Sequence, residues 1–112
     1  DAHSLRFAEM VKSIGRRFPL ESRDLLLANQ DLLLLNGAGI FGPTYKYVLA
    51  ADAIRLISKC QVITREHLMS ACKTMADQTS LWNDARAFDA LAQATRNCDL
   101  SLVTTPAWGR KP

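Results

Sequence analysis

The sequence predicts an all-α domain, a small bundle of about five helices. Three observations predict it: helix-start residues precede apolar positions spaced three and four apart, leucine dominates the most apolar stretch, and glycine or proline separates successive stretches. With 112 residues, 48% of them hydrophobic, the chain can build one small core. Its net charge of +3 is compatible with an anionic partner.

The first two predicted helices are separated by a proline corner. A helix is predicted over residues 4–17, where apolar residues recur at spacings of three. Phe18 precedes Pro19 and is therefore disfavoured in the α region, so this helix should end there. Ser22 then opens a second helix, and Gly37 is placed to end it.

Residues 32–35 are four consecutive leucines, and periodicity alone cannot distinguish a helix from a buried strand in so short a run. Leucine favours helices, and the β-branched residues typical of parallel strands are absent from this stretch. A polar patch at residues 29–31 precedes the run by one turn, as in an amphipathic helix. We therefore expect the leucines to be helical.

The third predicted helix follows a glycine break. Pro43 suits its first turn, where a missing N–H costs nothing, and the helix should run to Lys59. Asp52 and Arg55 are spaced for attraction across one turn. Because the rest of the segment is apolar or small, neighbouring elements should cover this helix on most sides.

The last two predicted helices complete a helical domain over residues 1–103. Thr64 caps the fourth helix, and His67, one turn inside it, is interpreted as a capping or surface residue rather than a catalytic base. The fifth helix covers about residues 81–96, and residues 104–112 are expected to be a flexible tail. The apolar stripe of the fourth helix consists of Leu68, Ala71, Cys72 and Met75.

Gly37, Gly39 and Gly42 also fit a second interpretation. They spell G-x-G-x-x-G, the pattern by which dinucleotide-binding folds bring the backbone close to a pyrophosphate after a strand. Residues 32–35 would be that strand and residues 61–63 the next. One βαβ unit cannot bury both faces of a parallel sheet, and no third strand of adequate length is present. We therefore favour a break between two helices and keep the dinucleotide-binding fragment as the lesser alternative.

No motif in the chain assembles a catalytic or metal site. The P-loop, nucleophile-elbow and H-E-x-x-H patterns are absent, so the chain is predicted not to be an enzyme by itself and to bind no cofactor. Its three cysteines lack C-x-x-C spacing, which favours small buried hydrophobes in a reducing, cytoplasmic compartment. No apolar stretch approaches the roughly 20 residues of a membrane span, so no membrane partner is expected.

Basic residues are the main candidates for a functional surface. Three bracket the corner at residues 18–20, three lie on the third predicted helix and two on the fourth. If they converge, they form a face that binds DNA phosphates without sequence specificity and loses affinity steeply with salt. The alternative is an ordinary solvated surface, since 14 basic residues stand beside 11 acidic ones. The predicted DNA-binding residues are Arg16, Arg17, Arg23, Lys46, Arg55, Lys59, Arg65 and Lys73.

Four short motifs also follow one another in a recognisable order. They are Phe18-Pro19-Leu20, Ile40-Phe41-Gly42, Leu49-Ala50-Ala51-Asp52-Ala53-Ile54 and Val62-Ile63-Thr64-Arg65-Glu66-His67-Leu68. In this order the chain resembles the C-terminal helical lid of AAA+ ATPases, over roughly residues 7–76. The branch that it resembles most is that of the transposition regulators, the target-selection ATPases of transposons.

The resemblance implies a lid-like accessory domain of a DNA-transaction ATPase, acting in DNA transposition or recombination. It implies ATP and Mg²⁺ on a separate core domain, with DNA and a transposase or other protein as partners. Many such lids carry an arginine after the glycine break, whereas this chain has Phe41 and Pro43 there, so we expect no direct nucleotide sensing. The alternative is a protein–protein adaptor without nucleic acid, which would dock through the second helix and a stripe of the fourth.

Overall fold

The computed structural model describes residues 2–96, with the side chains of residues 5–87 and of Asp89. All regular secondary structure in this part of the chain is helical, which confirms the predicted all-α bundle. The predicted domain end at residue 103 and the predicted tail at residues 104–112 lie outside the described residues. The helices are α1 (Ala2–Gly15), α2 (Leu25–Ala28), α3 (Gln30–Gly37), α4 (Phe41–Ile57), α5 (Arg65–Ser70) and α6 (Met75–Arg96).

The described residues divide between two units, residues 2–81 and residues 82–96. The first unit contains α1 to α5 and the beginning of α6, and it holds the hydrophobic core. Of the second unit, the structure describes the remainder of α6, as far as Arg96. All the residues predicted to bind DNA belong to the first unit.

The core of the first unit is built from residues of α1 to α5 and from Ile63, which precedes α5. Leu32 and Leu33 are buried whereas Leu34 and Leu35 are exposed. The run lies within α3, so the prediction that these leucines are helical is confirmed. A helix that packs with one face divides consecutive leucines in this way. The buried core consists of Val11, Ile14, Leu25, Leu26, Leu32, Leu33, Tyr47, Val48, Ala51, Ile63 and Leu68.

The predicted second helix is divided into α2 and α3, so the described residues contain six helices where about five were predicted. Asn29 lies at the break, with φ −117° and ψ 34°. Its side-chain Nδ2 donates a hydrogen bond to the Leu25 carbonyl oxygen at 2.8 Å. Asparagine side chains compete with the helix for backbone groups in this way. The prediction that Ser22 opens the helix is also wrong, because α2 begins at Leu25 with Asp24 at its N-cap position.

The break between α3 and α4 is a tight corner. As predicted, α3 ends at Gly37, and Ala38 and Gly39 follow with φ of 54° and 74°. A Cβ atom on Gly37 would lie 2.9 Å from the Cα atom of Thr44, so only glycine lets the two helices approach this closely. At Gly42, by contrast, an added Cβ would meet nothing within 4 Å.

The dinucleotide-binding interpretation is wrong, because the segment that it needs as a strand, residues 32–35, lies in α3. The three glycines of the pattern serve different purposes in the helical corner. Gly37 permits close packing, Gly39 adopts a positive φ, and Gly42 lies in the first turn of α4. Their G-x-G-x-x-G spacing therefore does not form a phosphate-binding turn after a strand.

The helix α4 begins at Phe41, two residues before Pro43, so the proline does lie in the first turn. The prediction that neighbours cover this helix on most sides is wrong. Leu49, Leu56 and Ile57 are 48%, 60% and 82% exposed. At spacings of seven and eight residues they share one side of the helix. These three residues are called the α4 face below. The other side of the helix packs into the core through Tyr47, Val48 and Ala51.

Two connecting segments pair with each other and join distant parts of the first unit. The Ile63 N–H donates to the Pro19 carbonyl oxygen at 2.7 Å, and the Glu21 N–H donates to the Ile63 carbonyl oxygen at 2.9 Å. Leu20 and Ile63 thereby form an isolated parallel bridge. The bridge fixes the corner after α1 against the segment that precedes α5.

The start of α5 is held by the predicted caps. Thr64 occupies the N-cap position, and its backbone N–H donates to His67 Nδ1 at 3.0 Å. His67 was predicted to be a capping or surface residue, and the capping role is confirmed, although the side chain is buried. The buried Tyr47 hydroxyl donates to the Leu68 carbonyl oxygen at 2.5 Å and joins α4 to α5. Burial raises the pKa of Tyr47 well above its ordinary value, so the hydroxyl keeps the proton that it donates.

Asn36 ends the predicted fourth helix earlier than expected. Its buried Oδ1 accepts hydrogen bonds from the Lys73 N–H at 2.8 Å and from Gln78 Nε2 at 3.1 Å. The first bond gives the Lys73 N–H a partner outside a helix, and α6 then begins at Met75. The predicted apolar stripe through Met75 is thus wrong, since this residue lies in a different helix and is 82% exposed.

Candidate nucleic-acid interface

Arg16 and Arg17 lie immediately after α1 and are exposed. Their backbone N–H groups donate to the carbonyl oxygens of Lys12 and Ile14, at 3.2 and 3.0 Å. These bonds satisfy carbonyl groups that a helix end would leave without partners. The negative end of the helix dipole also stabilises two cationic side chains at this position. The helix end therefore fixes the backbone of both arginines, while their side chains reach solvent.

An aromatic cluster supports this arginine pair. The ring centroids of Phe18 and Tyr45 lie 5.6 Å apart, and those of Tyr45 and Phe41 lie 5.8 Å apart. The Arg17 guanidinium lies over the Tyr45 ring, 5.9 Å from its centroid. Such a cation–π contact orients the guanidinium without neutralising its charge. The first turn of α4 is thereby brought to the corner after α1, and Lys46, next in sequence to Tyr45, is exposed there.

Three basic residues surround an open cavity of about 560 Å³ between the end of α1, the corner and α2. They are Lys12, Arg16 and Arg23, and all three are exposed. Asp24 is the one acidic residue of the lining among the described residues. The side chains of Lys12, Arg16, Arg17 and Arg23 form no ion pair with any side chain that the structure describes. We call these four residues the basic corner.

Two of the predicted DNA-binding residues, Arg55 and Arg65, make contacts within the protein. Arg55 Nε donates to Asp52 Oδ1 at 2.6 Å, which confirms the predicted i,i+3 attraction. Its Nη1 also donates to the Cys60 carbonyl oxygen at 3.1 Å. Arg65 Nη1 donates to the buried Asn29 Oδ1. These contacts fix the end of α4 and the break before α3, so both guanidinium groups stabilise the fold.

The remaining predicted residues do not line the cavity of the basic corner. Lys59 lies after α4 with φ of 59°, and it is exposed. The Cys60 N–H there donates to the Arg55 carbonyl oxygen at 3.0 Å, so the helix ends in a Schellman motif with lysine at the left-handed position. Lys73 is half-buried in the segment between α5 and α6. The eight predicted residues therefore do not all converge at one cavity.

Lys12 belongs to the site but is missing from the predicted set. It lies one helical turn before Arg16, at the i,i+4 spacing that places two side chains on the same side of a helix. The i,i+4 spacing, together with a helix end at the proline corner, was the signal that could have identified it.

The described residues contain no group of three or more His, Cys, Asp or Glu side chains that could hold a metal ion. Cys60 is exposed, so the prediction that the cysteines are buried is wrong for this residue, while Cys72 is half-buried. Cys98 lies outside the described residues. Between residues 2 and 96, no helix combines the length and the apolar composition that crossing a membrane requires.

No protein-family model, curated protein or solved structure matches this chain. The resemblance to AAA+ lids therefore remains a prediction that rests on the short motifs of the sequence.

Proposed function

We propose that this chain is a helical accessory domain that binds the DNA backbone through its basic corner. The observation that carries the proposal is the gathering of Lys12, Arg16 and Arg23 around one cavity, with Arg17 held beside it on the Tyr45 ring. Exposed cations on a rigid helix end contact phosphates without reading the bases, because phosphate oxygens carry no sequence information. The expected ligand is therefore DNA of any sequence.

The parent protein that we propose is a DNA-transaction ATPase of the transposition-regulator type. In it, a separate core domain would bind ATP and Mg²⁺, and the present domain would contribute DNA contacts beside a transposase or another protein partner. The proposal draws on the motif order at residues 18–20, 40–42, 49–54 and 62–68. The chain itself needs no catalytic group for this role, and a reducing, cytoplasmic compartment would suit the exposed Cys60 thiol.

A salt titration of duplex binding tests the proposal. Fluorescence anisotropy of a labelled duplex should give an affinity that falls steeply with salt, with a slope of about 0.9 per phosphate contact. The triple variant Arg16→Ala, Arg17→Ala, Arg23→Ala should lose roughly two to three units of that slope. The charge-matched control Lys59→Ala, Lys73→Ala, Arg86→Ala changes residues that do not line the cavity, and it should keep most of the slope. An unchanged slope in the first triple variant would contradict the proposal.

A protein–protein adaptor is the second candidate function, and the α4 face favours it. Leu49, Leu56 and Ile57 expose apolar side chains on one side of a long helix, as helices that dock onto a partner commonly do. We propose as its ligand the apolar face of a helix in another protein. Such an interface would respond little to salt, whereas DNA binding responds strongly. A complex with such a helix that is insensitive to salt, and that is lost in the double variant Leu56→Ser, Ile57→Ser, would support the adaptor function.

A further inference from the structure

The cavity of the basic corner is lined by apolar residues as well as by cations, and binding duplex phosphates requires only the cations. Its walls include Val11, Phe18, Leu20, Leu26 and Leu27, so apolar surface lies directly beside the cations. Val11 and Leu26 are buried core residues, while the other three are half-buried. A phosphate group gains nothing from such a surface, since it binds N–H donors and positive charge.

The volume of the cavity suits a group of the size of a nucleotide base. At about 560 Å³ it falls within the range of ordinary small-molecule sites, roughly 300–1,000 Å³. The bases of an intact duplex are stacked inside the helix and cannot enter a cavity on the protein surface. An unpaired nucleotide can, because its base is free while its phosphates remain on the strand.

We infer that the basic corner prefers DNA with an unpaired nucleotide, whose base enters the cavity beside Phe18 while Lys12, Arg16 and Arg23 hold the flanking phosphates. The inference rests on the proposed function and narrows its ligand from DNA in general to DNA with a single-stranded or displaced base. The apolar walls contact the faces of the base, and this contact tolerates any sequence because every base has a π face. Arg17 lies over Tyr45 and remains available to the next phosphate along the strand.

Gly15 gives a variant that fills the cavity and leaves every cation in place. It lines the cavity at the end of α1, and an added Cβ would lie 3.3 Å from Leu20 Cδ1 and 3.6 Å from Leu26 Cδ1. Gly15→Leu therefore places a larger side chain in the space assigned to the base. Ser22→Leu is a second filling variant, and because Ser22 is exposed at the cavity mouth its replacement does not disturb the core.

The experiment compares three labelled DNA molecules by fluorescence anisotropy at one salt concentration. They are a blunt duplex, the same duplex with a short single-stranded extension, and that extended duplex with abasic sites in the extension. The wild-type chain should bind the extended duplex about tenfold more tightly than the blunt one, and the abasic sites should remove this preference. Gly15→Leu should lose the preference while keeping the affinity for the blunt duplex. Far-UV circular dichroism checks its fold, and Ser22→Leu replaces it if the fold is lost.

Failure of the inference is distinguishable from failure of the proposed function. Equal affinity for blunt and extended duplexes, or a preference that survives abasic sites or both filling variants, would overturn the inference and leave duplex binding intact. Absence of binding to all three DNA molecules would instead contradict the proposed function itself. Displacement of the extended duplex by a fatty acid, without displacement of the blunt one, would assign the cavity to an apolar anion and overturn the inference.

Discussion

Gly37 packs so closely on Thr44 that a Cβ atom on the glycine would lie 2.9 Å from the Cα atom of the threonine. Because that obstacle is backbone, it cannot rotate away as a side chain can. Gly37→Ala should therefore destabilise the protein by about 2–3 kcal/mol, the typical cost of overpacking a core. Urea unfolding followed by circular dichroism measures the change.

Gly42→Ala is the matched control for that substitution. An added Cβ at Gly42 meets nothing within 4 Å, and the residue lies in the first turn of α4. Reduced freedom in the unfolded chain should then stabilise the variant by about 0.4–1 kcal/mol. Equal destabilisation by the two substitutions would show that the cost arises from the backbone of the glycine corner rather than from packing at Gly37.

Thr44 provides a second prediction at the same helix contact. Its hydroxyl oxygen is buried and has no hydrogen-bond partner among the described residues. A buried polar group without a partner costs free energy, so replacing it by a methyl group of similar shape should be neutral or favourable. Thr44→Val should leave stability unchanged or raise it by about 1 kcal/mol. A loss above that amount in urea unfolding would show that the hydroxyl has a partner after all.

Asn36 connects α3 to the segment between α5 and α6 through both ends of its amide. Its Oδ1 accepts from the Lys73 N–H and from Gln78 Nε2, while its Nδ2 donates to the Leu32 carbonyl oxygen at 2.9 Å. Asn36→Asp keeps the shape but replaces the donor with a buried charge. We expect a loss of about 2–4 kcal/mol near neutral pH, because the charge is desolvated and faces a carbonyl oxygen.

The pH dependence of Asn36→Asp follows from the same burial. Desolvation raises the pKa of a buried carboxyl group, so the folded variant binds its proton more tightly than the unfolded chain does. Stability of the variant should then increase as pH falls, relative to the wild-type chain. Urea unfolding at several pH values measures this, with Asn83→Asp on the exposed side of α6 as control. If the loss of stability in Asn36→Asp did not depend on pH, a buried charge could not be its cause.

The residues that differ from expectation show what the sequence could predict and what it could not. The helical leucine run and the cap at Thr64 were predictable, since propensity and local hydrogen bonding decide both. The breaks at Asn29 and after Ser70 were not. At Asn29 the side chain bonds the Leu25 carbonyl oxygen, and apolar periodicity contains no information about such competition with the backbone. After Ser70 the chain bonds a residue far along the sequence, as between Lys73 and Asn36.

In the candidate site, too, locally determined features were predictable from the sequence and tertiary contacts were not. The sequence placed Arg16 and Arg17 at a helix end, because proline fixes that end locally. Arg55 and Arg65 were included in the same set because the sequence does not distinguish a basic side chain that bonds within the protein from one that is free in solvent. The partner of Arg55, Asp52, follows from the i,i+3 spacing. The partner of Arg65, Asn29, lies 36 positions away and becomes visible only once the segments are packed.

The last prediction separates structural arginines from those of the basic corner. Arg55→Ala removes the ion pair with Asp52 and the bond to the Cys60 carbonyl oxygen, so stability should fall by about 1–2 kcal/mol. Arg16→Ala removes an exposed side chain without an ion pair to a described residue, and it should leave stability within about 0.5 kcal/mol.

The effects of the two substitutions on DNA binding should be reversed, with the salt slope falling by about 0.9 in Arg16→Ala and remaining unchanged in Arg55→Ala. Both variants lose one positive charge, so net charge cannot explain the difference. If both lowered the slope equally, DNA would contact α4 and the corner alike, and the assignment of the site to the basic corner would be wrong.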